Sequence, residues 1–205
     1  FIDLKTDLEK VTKANISVKI NDEFMKAVLN KSMYECKFKV KADGEEIVKE
    51  VDAYKLFMKL ITNNWDFAEP GILFWDNIEK NHLLSEDKNF KYAGVNPCAE
   101  EPLPAGGSCL LGSINLSEFV IAPFTKDAKM DYDRLQKAIN VAVRMLDNII
   151  DINNYPLKQF ENYQKNIRTI GLGITGLADT FAMLNMKYGS EESIKFTDEL
   201  MNFIS

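Results

Sequence analysis

This sequence holds a single histidine, His82, and only three cysteines, Cys36, Cys98 and Cys109, with no Cys-x-x-Cys among them. An odd cysteine count gives no disulfide framework, and one histidine with no cysteine cluster of zinc spacing around it gives no metal site. His82, in Glu79-Lys80-Asn81-His82-Leu83, reads as an ordinary surface or capping histidine. Long apolar runs are missing, and so is a start with a basic region followed by an apolar core and a cleavage site. The chain is therefore read as cytoplasmic, with no membrane partner. Positive charge is also short: 25 Lys and Arg against 31 Asp and Glu leave a net charge of −6, which argues against a surface that holds DNA or RNA by its phosphates. Internal repeats and low-complexity tracts are absent. What remains, 205 residues of which 46% are apolar, is enough for one sizeable core. The chain does not begin with Met, opens inside what reads as a structured segment and stops in what reads as a helix from Ser193 to Met201, so a piece of a larger protein is expected.

Periodicity predicts short strands alternating with helices, the pattern of an α/β fold. Ile16 to Ile20 alternates as a strand, and Asn21-Asp22-Glu23 opens a short helix carrying Phe24, Met25, Ala27, Val28 and Leu29. A second strand is expected from Tyr34 to Val40, then a turn at Ala42-Asp43-Gly44-Glu45. Asp52 caps a helix with Tyr54, Phe57, Leu60 and Ile61 on one face. The strongest helix runs from about Asp131 to Ile152, with Leu135, Ala138, Ile139, Ala142, Leu146 and Ile149 at helical spacing. It is stopped by Asn153-Asn154-Tyr155-Pro156. Gly171-Leu172-Gly173-Ile174-Thr175-Gly176 fits G-x-G-x-x-G, and Glu191 follows Gly171 by twenty residues as a dinucleotide fingerprint asks. The hydrophobic strand the fingerprint needs before its first glycine is replaced by Gln164-Lys165-Asn166-Ile167-Arg168, and Glu191 begins a helix after the Tyr188-Gly189-Ser190 turn. The glycines are read instead as allowing close packing of the following helix, with Leu177, Ala178, Phe181 and Leu184.

The chemistry concentrates in Asn96-Pro97-Cys98-Ala99-Glu100, within a Pro- and Gly-rich loop from Asn96 to Gly107 that is long for a plain connector. If this segment is extended, period-two alternation puts Asn96, Cys98 and Glu100 on one side. An amide to hold a substrate hydroxyl and a carboxylate to accept its proton would then flank a reacting sulfur. The plainer alternative is a solvated loop with Cys98 as a small hydrophobe.

The whole string NPCAEEPLPAGGSCLLGSINLSEF, Asn96 to Phe119, resembles the active-site finger loop of the ribonucleotide reductase catalytic subunit. Phe1-Ile2-Asp3 through Ala14-Asn15-Ile16-Ser17-Val18 and Arg168-Thr169-Ile170-Gly171-Leu172-Gly173 are similar to that family in the same order. The resemblance implies that residues 1–205 are a portion of a ten-stranded α/β barrel with a central finger loop at about 94–112. It implies an oxidoreductase, a ribonucleoside-diphosphate reductase making deoxyribonucleotides by thiyl-radical chemistry. Cys98 would carry the radical and abstract the ribose 3′ hydrogen, Glu100 would take the 3′-OH proton, and Asn96 would orient the hydroxyls. Cys109 matches one member of a redox pair whose partner would precede Phe1. The context of Cys36 does not match that partner, so Cys36 is read as a structural thiol and the isolated fragment as inactive. Leu8 to Asn15 is similar to a loop that relays effector identity, with Thr12, Lys13 and Asn15 as contacts; on composition alone it is a polar connection.

Pro97 and the Gly107-to-Leu116 run look more like the adenosylcobalamin-dependent class II type than the class served by a small metal-containing subunit. The implied partners are a ribonucleotide substrate, a deoxynucleotide effector, a thioredoxin-type reductant, the remainder of the parent chain and a second copy in a homodimer. The rival expectation is a non-catalytic nucleotide-binding or structural α/β module derived from the family. Retention of Asn96, Cys98, Glu100 and Cys109 together argues against it.

Overall fold

The computed structural model describes residues 1–41 and 44–205, so the turn expected at 42–45 lies partly outside the described residues. The chain divides into two compact units, residues 1–105 and 106–205. Every sheet among the described residues has two strands, in a mixed α/β arrangement.

The first unit runs β1 (Ser17–Ile20), α1 (Asp22–Asn30), β2 (Met33–Lys39), β3 (Glu46–Asp52), α2 (Ala53–Phe67), β4 (Gly71–Phe74), α3 (Trp75–Lys80), β5 (Gly94–Val95) and β6 (Pro102–Leu103). The helix starts were legible because caps are local. Asn21 accepts a hydrogen bond from the Phe24 amide at 2.8 Å, and Asp52 accepts one from Lys55 at 3.0 Å. Such caps are worth ~1 kcal/mol each. β1 and β4 pair in parallel, Ser17 opposite Gly71 and Ile20 opposite Phe74, with α1 and α2 in the crossover between them. Ile20, Phe24, Ala27, Val28, Ala53 and Leu60 form the core. The buried stripe of α2 is Ala53, Leu60 and Asn63, with Leu56 and Phe57 partly covered, whereas Tyr54 and Ile61 are exposed. Phe57 and Leu60 lie on the covered face as expected, whereas Tyr54 lies under the Lys31 ammonium.

The second unit runs β7 (Leu110–Asn115), a 3-10 turn (Leu116–Phe119), β8 (Val120–Ile121), β9 (Lys129–Met130), α4 (Tyr132–Ile152), α5 (Lys158–Ile167), β10 (Ile170–Thr175), α6 (Leu177–Met183) and α7 (Glu191–Ile204). β7 and β10 pair in parallel, Leu110 opposite Ile170 and Asn115 opposite Thr175. Capped by Asp131, α4 buries Leu135, Ile139, Leu146 and Ile150. Full burial of a Leu or Ile side chain contributes roughly 1.5–3 kcal/mol, so this stripe holds the long helix on the sheet. The G-x-G-x-x-G glycines lie inside β10 and at its end, not in a phosphate-binding turn. The neighbour they make room for differs from the expected one. A Cβ on Gly171 would meet Leu111 and the Cys109 sulfur, and one on Gly173 would meet the Ser113 hydroxyl, so the space serves the paired strand β7 rather than the following helix. Gly176, at φ +70°, is the residue where the chain leaves the strand, and a Cβ there would collide with Asn115 Oδ1.

Candidate active site

β5 and β6 form an antiparallel hairpin, Gly94 opposite Leu103 and Val95 opposite Pro102. Beyond the last pair the chain reverses within Asn96–Glu101. The Asn96 amide donates to Glu101 O at 3.1 Å, Ala99 N donates to Asn96 O at 3.0 Å, and Asn96 Oδ1 accepts from Glu101 N at 3.0 Å. Ala99 takes the left-handed conformation, φ 70°. The segment is thus a closed turn and not an extended strand, so alternation does not align Asn96, Cys98 and Glu100. An Asn side chain able to capture a backbone N–H competes with the extended form, which is why this segment turns. The turn puts Cys98 and Glu100 exposed at the hairpin tip, with Asn96 half-buried at its neck.

Strand β1 and its approach brace this hairpin at two points. Asn15 Nδ2 donates to Pro97 O at 3.0 Å, one residue before Cys98, and Lys19 Nζ donates to Ala93 O at 2.7 Å at the hairpin base. Lys19 also lies 3.4 Å from the centre of the Trp75 ring, and burial there lowers its pKa against the opposing pull of Glu79. Glu69 fixes both ends of the segment before β1: one carboxylate oxygen pairs with Lys5 Nζ at 2.8 Å and the other accepts from Ile16 N at 3.1 Å. The Lys5 bond, with help from the Ile16 amide, lowers the Glu69 pKa. Thr12 and Lys13, inside this pinned loop, are exposed. Lys13, Asn15, Ser17, Lys19, Asn96 and Pro97 border a cavity of about 520 Å³ beside the hairpin. A second, largely apolar cavity of about 320 Å³ is lined by Phe24, Tyr34, Cys36, Leu56 and Leu60, and Lys19 borders both cavities. Cys36 itself is exposed on β2.

Cys109 belongs to the second unit. It is half-buried just before β7, its sulfur 3.8 Å from Leu110 O and facing the space left by Gly171. The stretch is gripped by Gln164 of α5, a fully buried amide that sequence reasoning passed over. Ser108 Oγ donates to Gln164 Oε1 at 3.0 Å, and Gln164 Nε2 donates to Thr169 O at 3.0 Å. The available signal was a polar residue four after Phe160, on the covered side of an amphipathic helix. Sequence reasoning also missed Glu69 and Lys19, whose partners lie 53 and 74 residues away. His82 departs from the surface or capping reading: its ring lies 4.1 Å from Tyr92 and 5.2 Å from Phe90, with Nε2 buried and unpartnered. No group of His, Cys, Asp and Glu suited to a metal occurs among the described residues.

Comparison with known proteins follows the same lines. A family model described as ribonucleotide reductase, barrel domain, matches residues 1–205. A vitamin B12-dependent ribonucleoside-diphosphate reductase of Thermoplasma acidophilum is 34% identical over 191 residues, 93% of this chain and 24% of that protein. The protein of the same description from Mycobacterium tuberculosis is 34% identical over 190 residues, 93% of this chain and 26% of its own length. A ribonucleoside-diphosphate reductase subunit alpha of Chlamydia pneumoniae is 33% identical over 177 residues, 82% of this chain and 16% of that subunit. The chain spans about a quarter of the length of the first two relatives.

Proposed function

The chain belongs to the ribonucleotide reductase barrel-domain family, and from that premise we propose that it is the part of a ribonucleoside-diphosphate reductase that carries the radical-bearing thiol. In this reading residues 1–205 contribute to a ten-stranded α/β barrel, and the stretch of about 94–112 is the finger loop at its centre. The observation that carries the proposal is the Asn96–Glu101 turn, which presents the Cys98 thiol and the Glu100 carboxylate together at one exposed tip.

Each side chain then has a defined task. The Cys98 thiyl takes the hydrogen atom from C3′ of a bound ribonucleotide, forming S–H and leaving a carbon radical. Glu100 accepts the 3′-OH proton as general base, a role worth ~10²–10⁴ in rate, while the 2′-hydroxyl leaves as water. Asn96 spends its carbonyl oxygen on the turn, so its NH₂ is the end that orients a substrate hydroxyl. Cys109 and a partner thiol outside this chain supply one electron and one proton each, one proton leaving with the 2′-hydroxyl as water and the other going to C2′, and close a disulfide, while Glu100 gives its proton back to the 3′-oxygen. Cys98 then returns its hydrogen to C3′ and is again a radical. The sum is ribonucleotide plus two thiols giving deoxyribonucleotide, water and disulfide.

The relatives named as vitamin B12-dependent favour adenosylcobalamin in the parent enzyme. The chain fits it in one respect, an exposed Cys98 sulfur at a hairpin tip that an outside group can reach. When bound, the cofactor supplies the radical that removes the thiol hydrogen atom. The pinned loop with Thr12 and Lys13 outward suits contact with a deoxynucleotide effector, and Asn15 passes its position to Pro97. Trp65, 87% exposed, and Leu83, 95% exposed, suit burial by the remainder of the parent chain or by a second copy. A thioredoxin-type reductant would reopen the Cys109 disulfide. No helix among the described residues is long and apolar enough to cross a membrane, and the site of action in this reading is the cytoplasm. The direct experiment is Cys98→Ser in the intact reductase: substrate binding is retained and no deoxynucleotide forms, because an O–H bond is too strong for the oxygen to serve as a reversible hydrogen carrier. Appreciable turnover by the variant removes Cys98 from the mechanism.

A further inference from the structure

The Cys109 stretch is built unlike a loop. Ser108 and Leu110, the residues on either side of the cysteine, are anchored to Gln164 and to Thr169 O respectively, and Gln164 is itself bonded to Thr169 O. Ser108 Oγ donates to Gln164 Oε1 at 3.0 Å, while Gln164 Nε2 and the Leu110 amide share one acceptor, Thr169 O, at 3.0 and 3.2 Å. Gln164 is only 1% exposed, and a buried amide is kept only where its donor and acceptor are both used. Thr169 is itself held, its hydroxyl 3.1 Å from Tyr163 OH one residue before Gln164. Cys109 is thus the single residue bridging two anchored neighbours, with its sulfur facing the Cβ-free surface of Gly171 on β10.

We propose that Gln164 is a positioning residue for the Cys109 thiol: its buried amide fixes the backbone on both sides of the cysteine so that the sulfur meets its redox partner in one orientation. The proposal rests on the reading of Cys109 as half of a dithiol pair. Gln164 acts through its bonds to Ser108 and to Thr169 O. A disulfide demands sulfurs at bonding distance with a restricted dihedral angle, so a loosely held cysteine spends most of its time unable to close one.

The test uses the intact reductase in its reduced form, with the alkylation rate of Cys109 followed by mass spectrometry of its peptide and exposed Cys36 as the internal reference. Gln164→Met keeps volume and removes both hydrogen bonds, and Ser108→Ala removes one. The expected result is a rise of about tenfold in Cys109 alkylation relative to Cys36 for Gln164→Met, equivalent to about 1.4 kcal/mol. Ser108→Ala gives a smaller rise, and the double variant is no faster than Gln164→Met alone because the two residues act through one contact. A drop in thermal stability with the Cys109-to-Cys36 ratio unchanged means that Gln164 is merely structural and overturns the proposal. If Gln164→Met fails to fold, Ser108→Ala and Gln164→Glu decide by the same ratio. Failure of the underlying reading is separately visible: a Cys109→Ser reductase that still turns over repeatedly removes the redox role, whatever the alkylation ratios show.

Discussion

The two cysteine-bearing segments are held in opposite ways. Cys98 stands exposed on a hairpin whose strands contribute two residues each, closed by an Asn side chain and braced by Asn15, itself exposed. Cys109 is half-buried just before a six-residue strand in parallel register with β10, and its neighbour Ser108 is bonded to a fully buried glutamine that shares the acceptor Thr169 O with Leu110. In the proposed chemistry the first thiol must reach a substrate and a radical source that come from outside the unit, whereas the second must meet one partner sulfur in one geometry. A tip serves the first need and a buried clamp the second.

The comparison breaks most severely at the tip carboxylate. Glu100→Gln keeps shape and loses the proton acceptor, so deoxynucleotide formation by the intact reductase is expected to fall by ~10²–10⁴. A near-wild-type rate with an unaltered pH profile leaves Glu100 without a chemical role. A milder probe is Asn15→Leu, which deletes the brace at Pro97. With a net hydrogen bond worth ~0.5–1.5 kcal/mol, the rate is expected to drop by a few-fold to about tenfold. An undiminished rate with this variant means the hairpin holds itself. The smallest effect belongs to the clamp side. Glu161, on the same helix as Gln164, is held at about 2 instead of its ordinary 4.5 by hydrogen bonds from Lys165 and then Lys158. A carboxylate whose pKa is depressed on folding contributes stability that is present above 4.5 and lost as pH falls toward 2. The melting temperature should therefore decline slightly over that window and the decline should shrink in Glu161→Gln. The effect is small because exposed ion pairs are worth little. Identical pH profiles for the two proteins refute the assignment.

Local signals in the sequence read well. Asp52, the expected cap, accepts the Lys55 amide; the helices expected to open at Asn21, at about Asp131 and after the turn ending at Ser190 do so, with those residues accepting backbone amides, and the stop after Ile152 falls at Asn153. Asn96, Cys98, Glu100 and Cys109 were singled out by the family resemblance of the whole string from Asn96 to Phe119, because the spacing of Asn96, Cys98 and Glu100 alone also fits a solvated loop. What stayed hidden was set by pairing across long separations. The parallel registers of β1 with β4 and of β7 with β10 join segments more than fifty residues apart, and these pairings decide which neighbour Gly171 and Gly173 accommodate. Gln164, Glu69 and Lys19 act through bonds to distant backbone or side chains that no periodicity announces. The turn at Cys98 was misjudged for the opposite reason: alternation is a property of strands, and here a side chain two residues before the cysteine folds the strand back.

The central claim is that Cys98 opens the reaction and Cys109 closes it. The most direct measurement is the fate of an isotope label at C3′ of the substrate during one turnover of the intact reductase without external reductant. Cys109→Ser is predicted to retain cleavage of the labelled 3′ C–H bond, releasing label while forming no deoxynucleotide by the normal route. Cys98→Ser is predicted to release none. Label release by Cys98→Ser, or its loss in Cys109→Ser with Cys98 intact, would contradict the division of labour between the two thiols.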